Sequence, residues 1–144
     1  MTVRAERVFH LAAPIETVWE FLADPARRAS PISVVEEFEL TEEGATWHVS
    51  LPIPVIDRTI AVETRDIERD PPRYVEFVGR SRAFRVTGSH ELDSEDGGTR
   101  VTNTFVVEGR LPGVERFFRR RLDGELQNLE DAIEAAVGEA SHER

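Results

Sequence analysis

Residues 8–28, VFHLAAPIETVWEFLADPARR, constrain this chain more than any other stretch, because a strand-like segment runs straight into a proline-led amphipathic helix. Ile15, Val18, Trp19 and Leu22 fall at i, i+3, i+4 and i+7, the spacing that gathers apolar side chains on one helical face. Pro14 suits the first helical position, and Glu16 lies in the first turn, where the helix dipole favours an acid. Asp24-Pro25 ends the helix, since the residue before a proline is driven out of the helical region. Upstream, VRAERVFHL over 3–11 alternates as a strand does, with Phe9 and Leu11 toward a core and Val8 and His10 outward. A short second helix is expected around Ala26–Ala29, closed by Ser30-Pro31.

The rest reads as a meander of strands followed by one long helix. Strands are expected over Val34–Leu40 and over Ala45–Ile53, the second carrying Trp47, Val49, Leu51 and Ile53 on one face. Arg58–Ile67 follows, with Ile60, Val62 and Thr64 on one face. After a turn at Asp70-Pro71-Pro72 come Arg73–Arg80 and Ala83–Leu92. DSEDGG, Asp93–Gly98, reads as a hairpin loop, and Thr99–Glu108 alternates with Val101, Asn103, Phe105 and Val107 on one face. Short connections imply antiparallel pairing. A helix over Pro112–Val137 would be roughly 40 Å long, enough to cross a whole sheet. Phe118, Leu122, Leu126, Leu129, Ile133 and Ala136 form its apolar stripe, interrupted by Glu125 and edged by Arg121. The expected fold class is α+β, a helix-grip fold: about seven antiparallel strands curve around a long C-terminal helix, with one or two short helices after the first strand. A cavity is expected between sheet and helix. One domain over 1–138 and a disordered tail at 139–144 complete the organisation.

Composition narrows the chemistry. There is no Cys, which removes disulfides, thiolate catalysis and cysteine-ligated metals. All 18 basic residues are Arg, so neither a Schiff-base lysine nor a Walker-type phosphate loop is available. The net charge of -10 argues against nucleic acid as a partner. Arg in place of Lys fits a GC-rich genome, and the acidity fits a salt-adapted cytosol. No apolar run approaches the roughly 18 residues of a membrane span, and the first residues lack a signal-peptide core. A cytoplasmic protein, monomeric or weakly dimeric, is therefore expected. His10, His48, His90 and His142 show no metal-ligand spacing, and no serine stands in a nucleophile elbow. Neither a metal nor a cofactor is expected.

Three passages carry a family resemblance: APIETVWEFLADP near the start, GTRVTNTFVVEG before the last helix, and LQNLEDAIE within it. Together they resemble the START-like superfamily called SRPBCC, over nearly the whole chain. That group includes polyketide cyclases and dehydratases, START lipid-transfer domains, a family of carbon monoxide dehydrogenase subunits and the birch-pollen-allergen family. The resemblance implies a ligand-binding domain that takes a small hydrophobic or amphipathic molecule such as a lipid, a polyketide-like aromatic or an isoprenoid. It also leaves open a cyclase- or dehydratase-like enzyme, or, through the carbon monoxide dehydrogenase members, an assembly factor that binds a protein partner.

On the expected fold the inward faces supply a ligand-binding wall of Trp47, Val49, Leu51, Ile60, Val62, Phe77, Phe84, Val86, Phe105, Phe118 and Leu122. The same residues would equally make an ordinary core, since a cavity for an apolar molecule needs the same side chains. Thr64, His90, Asn103 and Glu125 are the polar inward positions. His90, Asn103 and Glu125 are candidates to converge in the cavity, with His90 or Glu125 as acid or base and Asn103 orienting a ligand oxygen. The alternative puts His90 at a strand end in solvent and pairs Glu125 with Arg121 one turn back. RFFRRR at 116–121 would either attract an acidic ligand or anionic lipid, or be neutralised through Arg119–Asp123 and Arg121–Glu125.

Overall fold

The computed structural model describes residues 2–53 and 59–142, with side chains to 138. The element order is β1 (Thr2–Leu11), α1 (Ile15–Leu22), α2 (Pro25–Ala29), β2 (Val35–Leu40), β3 (Gly44–Val49), β4 (Ile60–Asp70), β5 (Tyr74–Arg80), β6 (Phe84–Glu95), β7 (Gly98–Gly109) and α3 (Val114–His142). The seven strands form one antiparallel sheet in the order β1-β7-β6-β5-β4-β3-β2. This is the helix-grip arrangement, with the short helices after β1 and the long helix against the inner face.

Alternation drives the strands. In β1, Val3, Ala5 and Leu11 are buried while Arg4, Glu6, Val8 and His10 face out. In β7, Val101, Asn103, Phe105 and Val107 are buried as the period of two requires. Two register shifts, at Val35/Glu37 in β2 and Asp66/Glu68 in β4, add the local twist that lets a sheet curl around a helix. Pro14 stands at the N-cap of α1 and Asp24 caps α2, accepting from the Ala26 amide at 2.9 Å. The buried face of α1 includes Phe21, which lies off the expected stripe, while Ile15 and Trp19 are only partly covered.

Several boundaries differ from expectation. DSEDGG is not a loop: Glu95 pairs with Gly98, leaving a two-residue turn at Asp96 and Gly97. Gly97 holds a φ of 82°, a left-handed conformation that glycine adopts without steric cost. Leu51 and Ile53 are buried just beyond the end of β3. Arg58, expected to open the next strand, lies outside the described residues. The long helix starts at Val114, after Gly113 with a φ of 89°, and continues to His142. The tail expected at 139–144 lies outside the residues whose side chains are described.

Helix α3 docks by its apolar stripe: Val114, Phe118, Leu122, Leu126, Leu129 and Ile133 are all buried. Arg7 of β1 adds a salt bridge to Glu130. Among the described residues no helix is long and apolar enough to cross a membrane.

Candidate functional site

The space between the sheet and α3 is a small cavity of about 30 Å³. From the strands, Trp47 and Val49 of β3, Phe84 and Val86 of β6, and Phe105 and Val107 of β7 line it. Phe118, Leu122 and Glu125 of α3 close it from the helix side. Ile32 and Val34, in the link between α2 and β2, form the remaining wall. Among the described residues Glu125 is the one polar side chain of this lining. The space admits only one or two waters, since each needs at least about 10–15 Å³ by this measure.

Of the expected wall, Trp47, Val49, Phe84, Val86, Phe105, Phe118 and Leu122 meet at this cavity, together with Glu125. Leu51, Ile60, Val62, Thr64, Phe77, His90 and Asn103 are buried but are not part of its lining. Thr64 uses its hydroxyl within the sheet, donating to the Ala45 carbonyl at 2.6 Å and accepting from the Ala45 amide at 3.1 Å. Ile32, Val34 and Val107 complete the lining without having been expected there. Val107 follows from the alternation of β7. Ile32 and Val34 lie between elements, where only their i, i+2 spacing around Ser33 marks them.

His90 and Asn103 are directly opposed on β6 and β7, and His90 Nδ1 lies 2.8 Å from Asn103 Oδ1. Neither is at a solvent-exposed strand end, since both are fully buried. The amide oxygen can only accept, so Nδ1 carries the proton and donates. Among the described residues His90 Nε2 and Asn103 Nδ2 have no hydrogen-bond partner. Burial lowers the imidazole to about 4, against a smaller raising effect of Asn103, and nearby Arg28 lowers it further. His90 is therefore neutral at pH 7.

An aromatic layer separates this pair from the cavity. Phe77 stacks on His90, with ring centroids 6.1 Å apart at 19°, and meets the cavity-lining Trp47 edge-on at 5.5 Å. Phe105, also on the cavity wall, crosses His90 at 6.2 Å and 85°. Room for Phe77 comes from Gly88, where a Cβ would run into the Phe77 ring. On α2, Arg28 reaches over the Phe77 ring at 5.4 Å and donates to Asp66 of β4 at 2.6 Å. This ion pair is buried, with side chains 5% and 8% exposed. Desolvation pulls the Arg28 guanidinium below its ordinary value, and Asp66 opposes that pull. Nothing in the local sequence ARRAS announces a buried arginine.

Glu125 is 3% exposed and does not pair with Arg121. Its Oε1 accepts from the Ser33 amide at 3.0 Å and from Asn128 Nδ2 at 3.1 Å, and its Oε2 from the Ser33 hydroxyl at 3.1 Å. Arg121 lies instead over the Phe117 ring at 5.4 Å. Among the described residues no ion pair joins Arg119 to Asp123, so the two pairs expected within RFFRRR do not form, while Arg116, Arg119, Arg120 and Arg121 lie on an exposed face of α3. The expected trio thus splits: His90 and Asn103 pair behind the rings, while Glu125 lines the cavity and turns its carboxylate to Ser33, an exposed residue of the α2–β2 link.

A curved seven-stranded sheet gripping a long helix over an almost wholly apolar cavity defines the START-like, helix-grip class. The chain belongs to the polyketide cyclase / dehydrase and lipid transport family, whose model matches residues 2–134. The fold is similar to that of the ZhuI aromatase/cyclase from Streptomyces sp. R1128, at 22% identity and a TM-score of 0.67 over 98% of this chain and 94% of that one. It is similar to a START superfamily protein from Mycobacterium smegmatis, at 12% identity and a TM-score of 0.72 over 95% and 98% of the two chains. A conserved protein from Geobacillus kaustophilus superposes with a TM-score of 0.74 at 15% identity, over 97% of each chain. These likenesses bear on fold. No curated protein matches the chain.

Proposed function

We propose that this protein binds a small hydrophobic or amphipathic molecule in the cavity between the sheet and α3. The observation that carries the reading is the composition of the wall, in which apolar side chains from three strands, the α2–β2 link and α3 converge and only Glu125 is polar. Family membership agrees with it, since the family joins lipid transport to polyketide cyclisation. The structure is a closed form: about 30 Å³ is far below the roughly 300–1,000 Å³ of pockets that hold drug-sized ligands. Binding must therefore part the wall and be offset by the apolar surface the ligand covers, about 25 cal/mol per Å². The acid-base residues expected for an enzyme are not assembled on this wall, and binding is the simpler use of it.

Native mass spectrometry of freshly purified protein, followed by organic extraction, tests the reading. A stoichiometric apolar compound is expected, and its displacement should quench or shift the fluorescence of Trp47. A protein that carries no compound, and that takes up no apolar probe in titration, would sink it.

A further inference from the structure

We propose that the cavity opens along the seam between α3 and the link from α2 to β2 (residues 30–34), and that the contact of Glu125 with Ser33 is the latch that keeps this seam shut. The inference rests on the proposed cavity and says how a ligand reaches it. Ile32 and Val34 of the link, and Phe118, Leu122 and Glu125 of α3, belong to one lining. Ser33, between the two link residues, is exposed and absent from that lining. The Glu125 carboxylate turns to it, so the wall is apolar within and tied by hydrogen bonds on its outer side.

The helix is held unevenly on its two flanks. On one, α3 packs against β1, β7 and α1, and Arg7 of β1 is paired with Glu130. On the other, the Ser33 amide and hydroxyl both donate to Glu125, and among the described residues no other hydrogen bond or ion pair joins the link to α3. The remaining bonds of the link run away from the helix: the Val34 carbonyl accepts from the Ser50 amide at 2.9 Å, and the Ile32 amide donates to the Ala29 carbonyl at 3.1 Å. Further along α3, a surface recess of about 370 Å³ already lies among Ser30, Pro31, Ala132 and Ala136. Parting the seam at Ser33 exchanges its two bonds for bonds to water, which reaches this exposed residue at once, and Asn128 stays with Glu125 on the same helix. Opening on the opposite flank would instead strip the buried stripe of α3 from β1 and β7, which costs far more.

The test follows uptake and release of the neutral probe N-phenyl-1-naphthylamine by stopped-flow fluorescence, with circular dichroism to confirm folding. Ser33 and Asn128 both place an N–H on Glu125 Oε1, at 3.0 and 3.1 Å, so the double variant Ser33→Cys/Asn128→Cys brings two thiols within reach of a short bis-methanethiosulfonate. The chain has no other Cys to react. Bridging the seam should slow uptake and release at least about tenfold, and dithiothreitol should restore both. Glu125→Gln weakens the charge-assisted bonds and should speed both rates severalfold while Kd moves less. Arg7→Met, which frees α3 on the β1 side, should change the rates less than Glu125→Gln does. Glu125→Gln and Arg7→Met decide the matter between them if the double variant does not fold. Unchanged rates in the bridged protein, or equal acceleration by Arg7→Met and Glu125→Gln, overturn the latch and leave the cavity reading standing. If none of the folded proteins takes up the probe, the cavity reading falls and the latch falls with it.

Discussion

Mild acid should destabilise this protein through His90 alone. The imidazole is fully buried and sits at about 4 in the fold, against 6.5 when exposed. Between these values the unfolded chain binds a proton that the folded chain refuses, so stability rises with pH across that window and is lost as pH falls through it. The whole swing is about 3 kcal/mol at 1.36 kcal/mol per pH unit. Roughly 2 kcal/mol of it is lost between pH 7 and pH 5. Urea unfolding followed by circular dichroism reads this directly. With a slope near 2 kcal/mol per molar urea, the midpoint should fall by about 1 M over that range. His90→Gln keeps a donor toward Asn103 but does not titrate, and its midpoint should move much less. The pairs His10–Glu95 and His48–Glu39 are common to both proteins and drop out of the comparison. Equal midpoint shifts in wild type and His90→Gln would refute the reasoning.

Further substitutions probe the layer around that histidine. Gly88→Ala places a methyl against the Phe77 ring and should cost about 1–3 kcal/mol, read as a lowered melting temperature. Asp66→Leu alone strands the buried Arg28 guanidinium and should cost about 3–5 kcal/mol, whereas Arg28→Met leaves Asp66 paired with Arg69 and should cost less. Arg28→Met combined with the same Asp66→Leu should recover most of the Asp66→Leu loss, and a double mutant whose loss is the sum of the two single losses would show that the two side chains act independently.

The parts of the fold that were legible in the sequence are those with a period. The helical spacing of Ile15, Val18 and Leu22, the alternation of β1 and β7, and the stripe from Phe118 to Ile133 each announce an element and its buried side. Because inward faces also build the cavity, much of its wall came with them. What was illegible depends on contacts between residues far apart in the chain. Glu125 has Arg121 one turn away, yet its partner is Ser33, in a link with no period of its own. His90 looked terminal only because DSEDGG resembled a loop. With Glu95 and Gly98 recruited into the ladder, the same residue lies well inside β6. The buried pair of Arg28 and Asp66 joins α2 to the edge of a bulge, and neither residue type predicts its own burial.

The pairing of β1 with β7, in which Leu11 opposes Thr99 and Thr2 opposes Glu108, sets a schedule for synthesis. The first strand to leave the ribosome pairs with the last one made. At about 5–20 residues per second, β1 waits on the order of ten seconds for its neighbour. During that interval Val3, Ala5 and Leu11 have no sheet to cover them. The intervening meander can pair strand by strand as it emerges, but the grip around α3 closes only when nearly the whole chain has been translated. A truncated product ending before β7 would leave β1 and β6 as open edges, the surface that chaperones and aggregation compete for.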